Sequence, residues 1–296
     1  MKKLLALVAT LTLVFSLAAC GGGDDGEFAE NPEIVGIESG AGIMAATNTA
    51  IEEYGLEMEL LTSSGPAMVS ALGDAIENEE WIVVTGWSPH YKFANYDLKY
   101  LEDSKGVYGD VENLHTIARS DLRTDDPELT TFLEDFYMTS NELGGLMGDI
   151  ASSDDDTLEV ARTWASNNED VWSEWFPAGG LDGEDEEKIE IAYVNWAEGV
   201  AMTHLVQALL IDEANYSVEL TMADAGPIFS DVSDSDDDSM DFFLDAWLPV
   251  THESYEERYG DDYEDLGFNF EGARIGLVVP TYVDIDSIAE LNDYVN

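Results

Sequence analysis

The sequence predicts an α/β protein of two lobes, each a mostly parallel sheet flanked by helices. Three observations predict it. Short apolar runs alternate with helix-length amphipathic segments, the pattern of parallel strands joined by crossover helices. That alternation occurs twice, over residues 34–90 and again over residues 189–252. Both copies also close in the same way, on Gly86-Trp87-Ser88-Pro89-His90 and on Ala246-Trp247-Leu248-Pro249-Val250-Thr251-His252.

The chain has 296 residues, enough for two medium domains with full cores. Lys2 and Lys3 precede an apolar stretch, Leu4 to Ala19, that is short for a membrane span and reads as a targeting segment. It ends Leu17-Ala18-Ala19-Cys20 before three glycines and an acidic spacer. This resembles the lipobox of bacterial lipoproteins, which implies a signal peptide over 1–19, lipidation of Cys20 and a membrane-anchored protein on the extracytoplasmic face. Residues 20–32 read as a flexible tether. Cys20 is the only cysteine, so the mature domain has no internal disulfide, Cys-based metal site or thiol nucleophile.

The first half-unit reads strand 34–37, helix from about 43 to 53, strand 57–62, helix 66–77 and strand 81–86. An aromatic-acidic segment and a strand at 115–118 follow. Residues 128–176 read as a helical insert, with Leu129, Leu133, Phe136, Leu143, Met147, Val160, Trp164 and Val171 at its apolar positions. The second half-unit reads strand 189–194, helix 198–211, strand 216–222, a weaker helix near 226–232 and strand 241–246. Another aromatic-acidic segment, Tyr255 to Asp265, leads to a strand at 274–279. The strand after each half-unit is expected to cross into the other lobe. Lobe I is then 33–112 plus 272–296, and lobe II is 113–271.

Net charge is -53, from 64 acidic and 11 basic residues. Such a chain repels nucleic acid and anionic membrane surfaces. With 45% hydrophobic residues it is not a disordered polyanion. The acids read as a solvated surface adapted to high salt, where screening removes self-repulsion. Dense runs at Asp154–Asp156, Glu184–Glu187 and Asp234–Asp238 raise calcium binding as the other reading, but no run matches an EF-hand loop, and no metal site is assigned.

Trp87 and Trp247 close equivalent third strands, and Trp196 sits just past the first strand of the second half. Ligands of open parallel sheets bind beyond the carboxyl ends of the strands. Closing two lobes would therefore bring the three indoles together. Ring faces suit a quaternary ammonium, which cannot donate hydrogen bonds. Each contact contributes ~1–2 kcal/mol when desolvated, so three supply much of a micromolar affinity of about -8 kcal/mol. Trp81, Trp164, Trp172 and Trp175 read as core residues.

Gly40-Ala41-Gly42-Ile43-Met44-Ala45 has the spacing of a dinucleotide fingerprint, yet the second strand ends Leu60-Leu61-Thr62-Ser63 with no acid for a ribose. No cofactor is assigned. Free amides at a helix start still attract an anion, so Gly42 and Ile43 are candidates for holding a carboxylate. His252, five residues after Trp247, is a candidate to hydrogen-bond the same group. His90 is assigned a supporting position at best, and His115 and His204 have no supporting context.

The segments Gly40–Met44, Thr85–His90, Tyr193–Trp196 and Ala246–His252 resemble the glycine betaine substrate-binding lipoproteins of osmoprotectant ABC transporters. The similarity extends from about Ile34 to Leu291 and includes Leu98-Lys99-Tyr100-Leu101, Ala225-Gly226-Pro227 and Gly276-Leu277-Val278-Val279-Pro280. The resemblance implies a two-lobe, periplasmic-binding-protein-like (type II) fold. It also implies a prism of Trp87, Trp196 and Trp247 around a trimethylammonium, with the Gly42 and Ile43 amides and His252 on the carboxylate. The implied partners are glycine betaine and an ABC permease, and the acidic composition implies a halophilic bacterial source. Choline, carnitine or proline betaine are alternatives. Choline would not need the amide loop or His252. An exported hydrolase is the contrasting class. It lacks support, because the chain has no G-x-S-x-G elbow, H-E-x-x-H or Cys/His zinc cluster, and no catalytic residue is assigned.

Overall fold

The computed structural model describes Phe28 and residues 32–183, 188–234 and 239–295. The targeting segment, Cys20 and the acidic runs at 184–187 and 235–238 lie outside the described residues. Among the described residues, no helix is long and apolar enough to cross a membrane.

Two similar sets of parallel strands are joined into one nine-stranded sheet through its longest strand. In the first, β1 (Glu33–Val35), β2 (Glu59–Leu61) and β3 (Val83–Ser88) run parallel, with β1 in the middle. α1 (Gly42–Tyr54) and α2 (Gly65–Glu77) make the crossovers. α1 stops at Gly55, whose φ of 62° provides the left-handed cap that a side chain would resist. α2 begins where the Ser64 hydroxyl accepts from the Ala67 amide and Pro66 occupies the first turn. A single turn, α3 (Lys92–Asn95), leads to β4 (Leu98–Tyr100).

β5 (Glu112–Arg119) then leaves for the second set. The helical insert follows as α4 (Leu122–Asp125), α5 (Pro127–Asp135), α6 (Ser140–Ser152), α7 (Thr157–Asn167) and α8 (Glu169–Trp172). Leu143, Met147 and Trp164 are buried, and Trp175 packs edge-on against Phe136 at 4.8 Å. The acid run at 154–156 ends in a capping role, since the Asp156 carboxylate accepts from Leu158 at the start of α7.

The second set repeats the first. β6 (Ile189–Tyr193), β7 (Val218–Met222) and β8 (Phe242–Leu248) are parallel, with β6 central, and α9 (Ala197–Asp212) and α10 (Ala225–Val232) cross between them. α9 is buried nearly all round, between its own sheet and α6 and α7, so it lacks a polar stripe. After α11 (Glu253–Tyr259) the chain enters β9, Tyr263–Pro280.

β9 pairs antiparallel with β5 through its first half and with β3 and β4 through its second. The strand order is β2-β1-β3-β9 on one side and β7-β6-β8-β5 on the other, joined through β5 and β9. β5 and the second half of β9 thus cross to the other half's strands, and the two lobes are joined through them.

The extents of several elements differ from the sequence expectation. β3 and β8 each run two residues further, because pairing continues through Trp87↔Ile275 and Ser88↔Arg274 in one and Leu114↔Trp247 and Asn113↔Leu248 in the other. β9 is three times its expected length. Its first half, YEDLGFNFE, does not alternate between apolar and polar residues, and its ladder with β5 carries register shifts, so no strand period shows in the sequence. Trp81 lies before β3 rather than inside a strand, half-buried between Phe28 and Tyr294.

Candidate functional site

Every candidate residue is delivered by the carboxyl end of a parallel strand. β3 ends at Trp87-Ser88 before a cis Ser88-Pro89 bond, and β8 at Trp247-Leu248 before a cis Leu248-Pro249 bond. The turn after β6 places Trp196 at the N-cap of α9, and the loop after β1 opens α1 at Gly42. Trp87, Trp196 and Trp247 are 3%, 5% and 2% exposed. They wall a small cavity together with Gly42, Ile43 and Glu198.

Each indole N–H is satisfied by a carboxylate. Trp87 Nε1 donates to Glu198 Oε2 at 2.8 Å, Trp247 Nε1 to Asp245 Oδ1 at 2.9 Å, and Trp196 Nε1 to Glu38 Oε1. Buried indole N–H groups need a partner, and a ligand without acceptors at that end could not supply one. With their edges engaged, the rings present π faces. Trp87 is further fixed by Lys92, whose Nζ lies 4.0 Å from the ring centroid and donates to the Trp87 carbonyl at 3.3 Å. Lys92 is fully buried, which lowers its pKa well below the ordinary lysine value. Burial likewise raises Glu198 to about 7, and burial together with Glu198 holds Asp245 well above the usual aspartate range.

At the other end of the cavity, Ala41 offers α1 no side-chain acceptor, so the Gly42 and Ile43 amides have no capping partner. The Thr251 turn lies directly against them: a Cβ on Gly42 would sit 2.6 Å from Thr251 Cγ2. Buried Glu112 pins that turn, accepting from the Val250 and Thr251 amides at 3.0 and 2.9 Å and from the Thr251 hydroxyl.

His252 does not itself wall the cavity; its ring stacks on Trp196, with centroids 5.8 Å apart at 27°. Its Nδ1 accepts from the Trp247 amide at 3.0 Å, which assigns the proton of the neutral ring to Nε2. Nε2 is buried without a partner, and burial pushes the imidazole down to about 3, so the ring is a neutral donor at ordinary pH. His90 braces Trp87 edge-on at 4.7 Å, the supporting place expected of it. His115 pairs with Asp265, and His204 bonds the Val200 carbonyl.

Sequence reasoning missed Glu38, Glu198, Asp245 and Lys92. Two carried a usable signal: Glu198 interrupts the apolar run of α9, and Asp245 is the only charge in the strand FFLDAWL. Glu38 is one of 64 acids with nothing local to mark it.

The chain matches the family described as the substrate binding domain of ABC-type glycine betaine transport system over residues 18–167 and 187–296. It is 38% identical over 303 residues to the glycine betaine/carnitine transport binding protein GbuC of Listeria monocytogenes, covering 98% of both chains. Among solved structures, lactococcal OpuAC in its closed-liganded conformation with glycine betaine is 39% identical. That match covers 50% of this chain and 60% of that one, with a TM-score of 0.47. ProX of Borrelia burgdorferi is 32% identical over 50% of this chain and 56% of that one, with a TM-score of 0.48.

Proposed function

This chain belongs to the family of substrate-binding domains of ABC-type glycine betaine transport systems, and from that premise we propose that it captures glycine betaine between its lobes for delivery to an ABC permease. The observation that carries the reading is the cavity itself. Three buried indoles with satisfied N–H edges meet there the uncapped amides of α1.

The trimethylammonium sits against the faces of Trp87, Trp196 and Trp247. It attracts the ring quadrupoles without asking for hydrogen bonds. The carboxylate takes the Gly42 and Ile43 amides at the positive end of α1 and the Nε2–H of His252, which is buried without another partner. His252 binds as a neutral donor, so this end carries no titrating charge near pH 7. The protein performs no chemistry on the ligand. Its lobes, 33–112 with 272–296 and 113–271, close around it, a division supported by the sheet membership of β5 and β9.

The mature chain is held at the extracytoplasmic face by lipid on Cys20. The acidic excess is an adaptation to a salty medium, as in a halophilic bacterium. Calorimetry at high salt with glycine betaine, choline and a neutral sugar tests the reading. Strongest heat with glycine betaine is expected, and heat with the sugar alone would remove it.

A further inference from the structure

The indole–carboxylate bonds differ in where their partners come from. Asp245 and Trp247 are two residues apart on β8, so their bond lies inside one lobe. The other two cross the cleft, in opposite directions. Trp87, on β3 of the first lobe, donates to Glu198 at the start of α9 on the second; Trp196, beside Glu198, donates to Glu38 in the loop after β1. We infer that Glu38 and Glu198 are positioning residues of the cage, each fixing an indole of the opposite lobe, so that lobe closure and cage assembly are one event.

The geometry makes the coupling strict. Opening the lobes separates both pairs at once, because each donor and its acceptor belong to different lobes. Two of the three indoles then lose the contact that sets their ring planes. Closure restores both and buries them: Trp87, Trp196 and Glu198 are 3%, 5% and 0% exposed. Hydrogen bonds to ionised groups are the stronger kind, and an indole N–H left unmade in such a place is costly. A third tie follows the same path, from the Tyr255 hydroxyl to the Gly40 carbonyl at 3.1 Å. Neither carboxylate needs to touch the ligand for this role. They act through the rings.

The inference rests on the betaine reading, and the experiment separates the two. Full-length protein carrying Glu38→Gln, Glu198→Gln or Asp245→Asn is compared with wild type at pH 8 by stopped-flow tryptophan fluorescence with glycine betaine. The side-chain amides keep shape and acceptor but remove charge. Dissociation is expected to speed up about tenfold in Glu38→Gln and Glu198→Gln, with association within about twofold, since a tie made on closure appears in the off-rate. Asp245→Asn also loosens a cage indole and is expected to speed dissociation, but its bond does not cross the cleft, so its ligand-free scattering should match wild type. Small-angle scattering of the ligand-free proteins gives a second readout: the two cross-cleft variants should be more open than wild type and Asp245→Asn. Wild-type off-rates in both cross-cleft variants, or a lowered melting temperature with no change in off-rate or scattering, would overturn the inference. A wild type that ignores betaine removes the functional reading instead, and the scattering comparison still decides the role of the carboxylates. Half-buried Glu38 carries the test if Glu198→Gln does not fold.

Discussion

Replacing Gly42 by alanine places one methyl group where the lobes meet. The new Cβ would lie 2.6 Å from Thr251 Cγ2 and 3.0 Å from its carbonyl carbon, and nearer still to its carbonyl oxygen. Ordinary contact begins at 3.4 Å, so the gap at Cγ2 must widen by about 0.8 Å. The threonine side chain could turn aside, but the carbonyl cannot, because Glu112 pins the Val250 and Thr251 amides. Overpacking of this kind costs about 1–3 kcal/mol, or about 5- to 150-fold in affinity. The pinned turn argues for the upper half of that range. Gly42 is not in the left-handed region and alanine favours a helix, so α1 itself is not weakened. Calorimetry with glycine betaine should therefore show at least tenfold weaker binding, with the ligand-free melting temperature unchanged or slightly raised. Gly40→Ala is the control, because its Cβ meets nothing closer than Asp224 Cβ at 3.8 Å. It should bind within about twofold of wild type. Wild-type affinity in Gly42→Ala, or equal losses in both variants, refutes the reasoning.

Trp247→Ala should weaken betaine binding at least tenfold with the circular dichroism spectrum intact; unchanged affinity removes it from the cage. His252→Ala should reduce affinity for glycine betaine more than for choline, and equal losses would mean that the imidazole does not read the carboxylate. The same histidine predicts acid sensitivity. Its folded value of about 3 lies below the ordinary 6.5, so the unfolded chain binds the extra proton between those values. Its contribution is complete above pH 6.5 and is lost as pH falls toward 3, at about 1.4 kcal/mol per unit. Glu198, raised to about 7, acts in the opposite sense: its contribution is present below the ordinary 4.5 and is lost as pH rises through 7. His252→Gln should therefore lose less thermal stability than wild type between pH 6.5 and 4.5, and an equal loss in both would contradict the buried neutral ring.

The repeated half-unit, the strand ends and the residues gathered there were legible from the sequence. Hydrophobic period and Trp-x-Pro punctuation are local properties, and a parallel sheet puts its strand ends on one side wherever it occurs. The chain order could not say which acid meets which ring. Glu38 reaches Trp196 across 158 positions and Glu198 reaches Trp87 across 111, and among 64 acids no local pattern marks such pairs. The full length of β9 was hidden for a related reason: its first half is held by cross-strand pairing with β5 rather than by its own alternation. Sequence alone therefore determined which rings stand at the strand ends and which helix start opens beside them. Only the tertiary structure decided what holds Trp87 and Trp196 in place, because their acceptors come from the opposite lobe and meet them only when the two lobes are brought together.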